Sequence, residues 1–408
     1  MHQADTMTST HVAFLDNIRY LMVLLVLVYH SVAAYATVAP HWTVHDASFF
    51  MADIIRELFD VFMMPMLFFV AGYFTVPSLE KKGVWKFLKD KVRRLLIPWA
   101  LAVLIVLPLA LYDQPVKPIR PFRNYWLHYF SNMFDIQLNF PQYGPHYQNV
   151  YWFISLLFAF FAVFALLYTV TRWWNTLTVP RVRKVTYGNS VLIPLLLFGV
   201  MTSAGYFISL LLLPDASWFR LGLFLEFQVP RLVLFVGYFA FGVYVQSHRW
   251  FTDGKPPASF TLWGTISVVL ALAYLVFFQN IFANTTGTLF RPVWLLLAFA
   301  FIRSFLLLSL LVVFVSFGVR CWNHTSKVDR QLAATSYNIY LTHIWFLVAI
   351  QQALLAWKDG PVPAKCTIVL LAGLVLSYAF SRWVIGRYPR VFVVAILALF
   401  VFCLAVRP

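Results

Sequence analysis

The sequence predicts an all-α, polytopic transmembrane helical bundle, and three observations predict it. Hydrophobic residues fill 62% of the 408 positions and charged residues 11%, where a soluble domain carries about 25% charged residues. Apolar runs of about 18 residues or more recur along the chain, the length that crosses a ~30 Å hydrocarbon core as a helix. Basic residues gather at alternate junctions between those runs, the bias of cytoplasmic loops. The charge deficit excludes a soluble globular enzyme, a disordered chain and an ordinary nucleic-acid binder. The net charge of +16 therefore reads as loop bias, with no nucleic-acid partner.

The runs fall near 20–38, 58–76, 95–112, 150–170, 190–213, 229–247, 260–282, 293–317, 332–356 and 365–385, which gives ten spans. A shorter run at 391–406 either adds an eleventh or lies on the inner surface. The runs are too long for barrel strands and lack their alternation. In lipid each backbone N–H must be satisfied within the segment, so the runs are helices. Residues 1–408 read as one membrane domain. The first run follows a polar stretch without a cleavable small-residue site, so it reads as a retained span and not a signal peptide.

Orientation follows from Lys and Arg. The segment 77–94 holds Lys81, Lys82, Lys86, Lys89, Lys91, Arg93 and Arg94. The matching junctions carry Arg172, Arg181, Arg183 and Lys184, then Arg249 and Lys255, then Arg320, Lys327 and Arg330, then Arg382, Arg387 and Arg390. With Arg19 these are 20 of the 31 basic residues, and they place the N-terminus in the cytoplasm. The long outer segment 113–149, with Asp113, His128, Asp135 and His146, is either a partly ordered cap or a loop anchored in the headgroups by its aromatics.

Ionisable groups inside spans are expensive and mark function by default. His30 lies in span one, eleven residues after Arg19, or about 16 Å along a helix. His343 lies at a similar depth in span nine, Arg303 well inside span eight, and Glu226 at the outer start of span six. A buried histidine is often no more than a satisfied hydrogen-bonding group. His30 differs in having a basic residue on the same helix, a carrier arm's length below it. A neutral imidazole in an apolar site serves as general base towards a hydroxyl or as nucleophile towards a thioester.

The basic segment before span three is first a topology determinant and anionic-lipid anchor. Lys91, Arg93 and Arg94 run directly into the span and are also placed to clamp phosphates. His41 and His45 are four residues apart and could share a helix face, but no third ligand is evident, so no metal is expected. Cys321, Cys366 and Cys403 lie far apart and give neither a disulfide framework nor zinc spacing. There is no GxxxxGK[ST] loop, no GxSxG elbow and no HExxH.

The order of these features resembles the acyltransferase type-3 family of integral membrane enzymes, over about residues 12–385, with 391–406 an extra hydrophobic segment. The carrying motifs are FLDNIR with Arg19-x10-His30; FFVAGYF, where Ala71 replaces the family's usual serine and Gly72 and Tyr73 remain; and RRLLIPW at 93–99. YWFISLLF at 151–158 and SYNIYLTHIWF at 336–346 complete the order. Where the family often has Arg-x-x-Arg this chain has Lys91-x-x-Arg94, which keeps the charge and removes one bidentate phosphate donor. The opening together with HWTVHDA looks most like the branch that succinylates periplasmic glucans.

The resemblance implies transfer of an acetyl or succinyl group from cytoplasmic acyl-CoA, a co-substrate and not a bound cofactor, to a hydroxyl of an extracytoplasmic carbohydrate. It implies a protein of the bacterial inner membrane. Arg19, Lys91, Arg93 and Arg94 would hold the CoA, and His30 would be the base. His343 and Arg303 would orient the acceptor or stabilise the oxyanion, with Tyr340 and Trp152 as further orienting residues. A secondary transporter or flippase also explains mid-membrane charges, but predicts inverted repeats that are not evident. A sensor without chemistry leaves His30, His343 and Arg303 unexplained.

Overall fold

The computed structural model describes residues 12–39, 41–112, 121–131, 133–139, 148–173, 191–251, 256–277 and 292–405. Helices coincide with all eleven apolar runs. They are α1 (Ala13–Ser31), α2 (Phe50–Lys82), α3 (Val84–Leu111), a short outer helix α4 (Phe122–Tyr129), α5 (Trp152–Trp173), α6 (Leu192–Leu212), α7 (Leu232–Ser247), α8 (Phe260–Phe277), α9 (Val293–Cys321), α10 (Lys327–Leu354), α11 (Val362–Ala379) and α12 (Pro389–Ala405). Among the described residues, seven are long and apolar enough to cross a membrane. The molecule is an all-α helical bundle of an integral membrane protein.

Several bounds differ from the sequence reading, those of α1, α2 and α3 most. The first helix begins at Ala13, seven residues before the apolar run, and stops at Ser31. Its polar start is helical because Asn17 Nδ2 donates to the carbonyls of Trp322 (2.9 Å) and His324 (3.1 Å), and Tyr20 donates to Asp329. The helix α2 extends past the run 58–76 at both ends. Its first turns carry Asp53, Arg56, Glu57 and Asp60, which lower the local hydropathy, and each bonds to a residue outside α2.

α1 sits in the middle, packed against α2, α9, α10 and α11. It runs parallel to α10, as the contacts Tyr20 to Asp329 and Gln351 to His30 show. α2 and α7 approach backbone to backbone. A Cβ on Gly72 would lie 2.0 Å from the Phe239 carbonyl oxygen, and one on Gly242 would lie 2.1 Å from that of Phe69. Small residues permit such an approach between membrane helices.

α3 contains two π-helical stretches, Val92–Leu96 and Ala102–Val106, each followed by a proline, Pro98 and Pro108. Proline has no N–H for the carbonyl four residues back. The Leu104 carbonyl, released by Pro108, accepts from Trp126 Nε1 at 2.9 Å. Tyr337 donates to the Leu95 carbonyl (3.1 Å) and Trp345 Nε1 to that of Val106 (2.7 Å). Aromatic donors from α4 and α10 thus satisfy the loosened ladder, as burial in lipid demands.

The described residues between the long helices include a small sheet. β1 (Ile136–Asn139), β2 (Trp218–Leu221) and β3 (Leu225–Gln228) form an antiparallel sheet in that order, with Ile136 opposite Leu221 and Trp218 opposite Gln228. Four-residue strands are too short to show a period in the sequence. Glu226 lies in β3, before the sixth long helix of the bundle, and accepts from the Gln148 backbone N–H (3.1 Å). Gln148 also donates to the Leu223 carbonyl (2.9 Å) and accepts from Ser155 (2.6 Å), which fixes the start of α5. His128 and Asp135 are exposed; Asp113, His146, Arg181, Arg183, Lys184 and Lys255 lie outside the described residues. α12 packs lengthwise, with Phe392 on Phe380 (5.5 Å) and Phe400 on Trp126 of α4 (5.8 Å).

A buried ion network ties five elements together. Asp60 of α2 accepts from Arg303 of α9 (3.0 Å) and from Arg231 at the start of α7. Arg231 also pairs with Asp215 (2.6 Å), which takes a bond from Tyr206 of α6. Arg303 donates to Tyr274 of α8 (2.9 Å). Burial alone would raise the Asp215 carboxyl, but the Arg231 and Arg303 charges outweigh it and hold the group well below the usual carboxylate range.

Two outcomes are expected. Gly72→Leu drives a side chain into the α7 backbone and lowers stability by about 1–3 kcal/mol or more, read as a fall in Tm of the detergent-solubilised protein. Asp215→Asn leaves Arg231 half-paired and costs roughly 3–5 kcal/mol near pH 7. The Asp215 contribution is present above the ordinary Asp pKa and fades as pH falls through the depressed one. The Tm gap between wild type and Asp215→Asn therefore narrows only at strongly acidic pH; a gap constant with pH would contradict the pairing.

Candidate active site

The two histidines singled out by sequence meet. His30 stands in the last turn of α1 and His343 midway along α10. Parallel packing of those helices brings His343 Nε2 to 3.2 Å from His30 Nδ1. His343 Nδ1 lies 2.7 Å from the Tyr340 carbonyl. A carbonyl only accepts, so Nδ1 of neutral His343 carries the proton and its Nε2 is the acceptor. His30 then donates from Nδ1, and His30 Nε2 holds a free lone pair. His343 is buried at 1% exposure, whereas His30 is only partly buried. His30 is thus the more exposed of the two imidazoles, and His343 sets its tautomer.

Further residues, not singled out by sequence, brace His30. Trp42 stacks on its ring, with centroids 5.2 Å apart and planes 16° from parallel. Trp42 Nε1 donates to Gln351 Oε1 (2.8 Å), and the Gln351 amide donates to the carbonyls of His30 and Ser31, both at 3.1 Å. The loop bearing Trp42 is tied down by the buried pair of Lys365 and Asp46 (2.7 Å). An amide in a long apolar helix was the available signal for Gln351. The stacking of Trp42 depends on a loop path that no periodicity encodes. His41 and His45 sit in this non-helical loop and are exposed, so they share no helix face. Among the described residues no cluster of three or more His, Cys, Asp or Glu is placed to hold a metal ion.

Tyr340 donates to the Val150 carbonyl, and Tyr151 donates to that of Leu341 (2.6 Å). The YWFISLLF and SYNIYLTHIWF motifs therefore clamp each other and hold the carbonyl that orients His343. Trp152 packs edge-on against Trp218 (5.6 Å), joining this clamp to the outer sheet. Arg303 is buried within the ion network, away from solvent.

Arg19 and His30 are eleven residues apart on one helix, which is three turns and nearly the same face. Arg19 pairs with Asp16 (2.9 Å) and remains partly exposed. Its charge, with those of Lys82 and Arg94, acts on Lys91, so these residues form one basic cluster. The Lys91 ammonium lies over the Phe161 ring (3.8 Å), while Arg93 and Arg94 point outward and are exposed. The chain therefore presents a basic cluster at one end of α1 and an oriented imidazole at the other.

The profile of the type-3 acyltransferase family, described as an acyltransferase domain, matches residues 12–406 and so takes in every long helix including α12. The chain matches no curated protein and no solved structure. A family match over nearly the full length, on a bundle of apolar helices, shows that the chain belongs to the type-3 acyltransferase family and is a membrane acyltransferase.

Proposed function

We propose that the enzyme moves an acetyl or succinyl group from cytoplasmic acyl-CoA to a hydroxyl of an extracytoplasmic carbohydrate, with His30 as general base. The single observation that carries this reading is the His30–His343 contact, which leaves the Nε2 of the partly buried His30 unprotonated. The proton of the acceptor hydroxyl passes to His30 Nε2 as its oxygen attacks the thioester carbon. Collapse of the tetrahedral adduct breaks the C–S bond, and the leaving thiolate takes the proton back from the imidazolium. His343 and the Tyr340 carbonyl stabilise the imidazolium through the Nδ1 side. A transient acyl-histidine is the less favoured variant.

Arg19, Lys91, Arg93 and Arg94 hold the CoA phosphates, and the pantetheine arm reaches along α1. The ~16 Å between Arg19 and His30 suits such an arm. Arg303, Tyr340 and Trp152 act on the acceptor by holding the surrounding helices in place, since their contacts lie within the protein. The lengthwise packing of α12 supports an eleventh span over a surface helix. The loop charges support a cytoplasmic N-terminus in a bacterial inner membrane.

Purified protein is tested for acyl-CoA binding and thioester cleavage. His30→Ala is expected to bind acyl-CoA as wild type does and to lose turnover by at least ~10²-fold; full turnover in that variant removes His30 from the chemistry. Arg94→Ala is expected to raise KM for acyl-CoA several-fold with kcat little changed. A change confined to the acceptor KM would contradict its placement at the CoA.

A further inference from the structure

Arg56 lies against Tyr29, the residue before His30, and has no role in the account above. It sits in the second turn of α2, and its Nη1 donates to the carbonyl of Tyr29 (3.2 Å), the residue preceding His30. Its Nη2 donates to the Tyr29 hydroxyl (3.0 Å), and its guanidinium stacks 4.0 Å over the Tyr29 ring. That ring meets the His30 imidazole edge-on at 5.0 Å. The Tyr29 ring therefore touches both the guanidinium and the imidazole.

Arg231 and Arg303 each grip carboxylates directly. Arg56 grips none within 4 Å among the described residues. Its chain neighbour Glu57 instead accepts weakly from Tyr274 (3.4 Å). The two bonds to Tyr29 fix the guanidinium plane and leave its other N–H groups uncommitted, and Nε is buried with no partner. Arg56 is also only partly buried, as are Tyr29 and His30. An oriented guanidinium with free donors, next to an accessible imidazole, is built to receive an anion.

We infer that Arg56 contacts the substrate and binds an anionic oxygen of it while His30 reacts. The inference rests on the acyl-transfer reading above. Two oxygens have that chemistry. When the acceptor oxygen adds to the thioester carbon, the carbonyl π pair moves onto the carbonyl oxygen, and Arg56 can hydrogen-bond that oxyanion without giving up a proton. A dicarboxylic acyl group would instead present its distal carboxylate in the ground state as well.

The test compares full-length wild type, Arg56→Gln and Arg56→Lys in lipid nanodiscs, with acetyl-CoA and succinyl-CoA as probes and thiol release as the readout. If the oxyanion is the ligand, Arg56→Gln lowers kcat for both donors by ~10²-fold with KM little changed. If the carboxylate is the ligand, kcat/KM falls for succinyl-CoA alone, mainly through KM. Arg56→Lys keeps the charge and loses the planar fork, so it shows the same donor pattern with a smaller loss. It also serves as the reporting variant if Arg56→Gln fails to fold. Wild-type kcat/KM for both donors in a folded Arg56→Gln, or in Arg56→Lys where only that variant folds, overturns the inference. Absence of thiol release by wild type with any acyl-CoA overturns the acyl-CoA reading itself, and the role of Arg56 falls with it.

Discussion

Asp60 accepts from two arginines at once, and the constraint it illustrates shapes the whole bundle. A polar group inside an apolar interior costs several kcal/mol unless a partner meets it. The partners here come from distant parts of the chain, so each polar position fixes where a helix must sit. Asp60 joins α2 to α7 and α9; through Arg231 and Asp215 it reaches α6. Removing any member would strand a buried charge, which is worse than never having built the network. Its worth is therefore less in net stability than in specifying one arrangement of otherwise interchangeable apolar helices.

The same constraint builds the site. α1 and α10 are held in register by a row of polar contacts, from Asn17 with the chain before α10, through Tyr20 with Asp329, to Gln351 with the end of α1. Within that register His30 and His343 meet almost as a consequence. Neither histidine pays for burial alone, because each gives the other a hydrogen-bond partner and a main-chain carbonyl closes the row. The tautomer that frees His30 Nε2 is thus set by helix packing.

Much of this was legible in the sequence and some was not, for identifiable reasons. Long apolar runs announce helices, and the structure places a helix on each of the eleven. Their ends were misjudged where polar residues are helical but paired, as at Asn17 in α1 and Glu57 in α2. His30 and His343 stood out because a charged or titratable group in a span is rare; that they touch depends on the rotation of two helices, which hydropathy does not report. Trp42 was invisible as a site residue because a loop folds it back over α1. Arg56 precedes the second apolar run and was not singled out by sequence; only its contacts with Tyr29 distinguish it from the arginines of the ion network.

The arginines near the outer end of α2 fall into two kinds, and the difference is physical. Arg231 and Arg303 are satisfied by carboxylates, so their fields are largely cancelled within the protein and their effect is to brace. Arg56 is oriented by neutral groups, the Tyr29 carbonyl, hydroxyl and ring, which fix its plane while no carboxylate grips it within 4 Å among the described residues. A preorganised cation of that kind costs no reorganisation when negative charge develops nearby. Asp60, one helical turn from Arg56 on α2, is already engaged by Arg231 and Arg303, so the ion network and the Tyr29-held guanidinium stay separate.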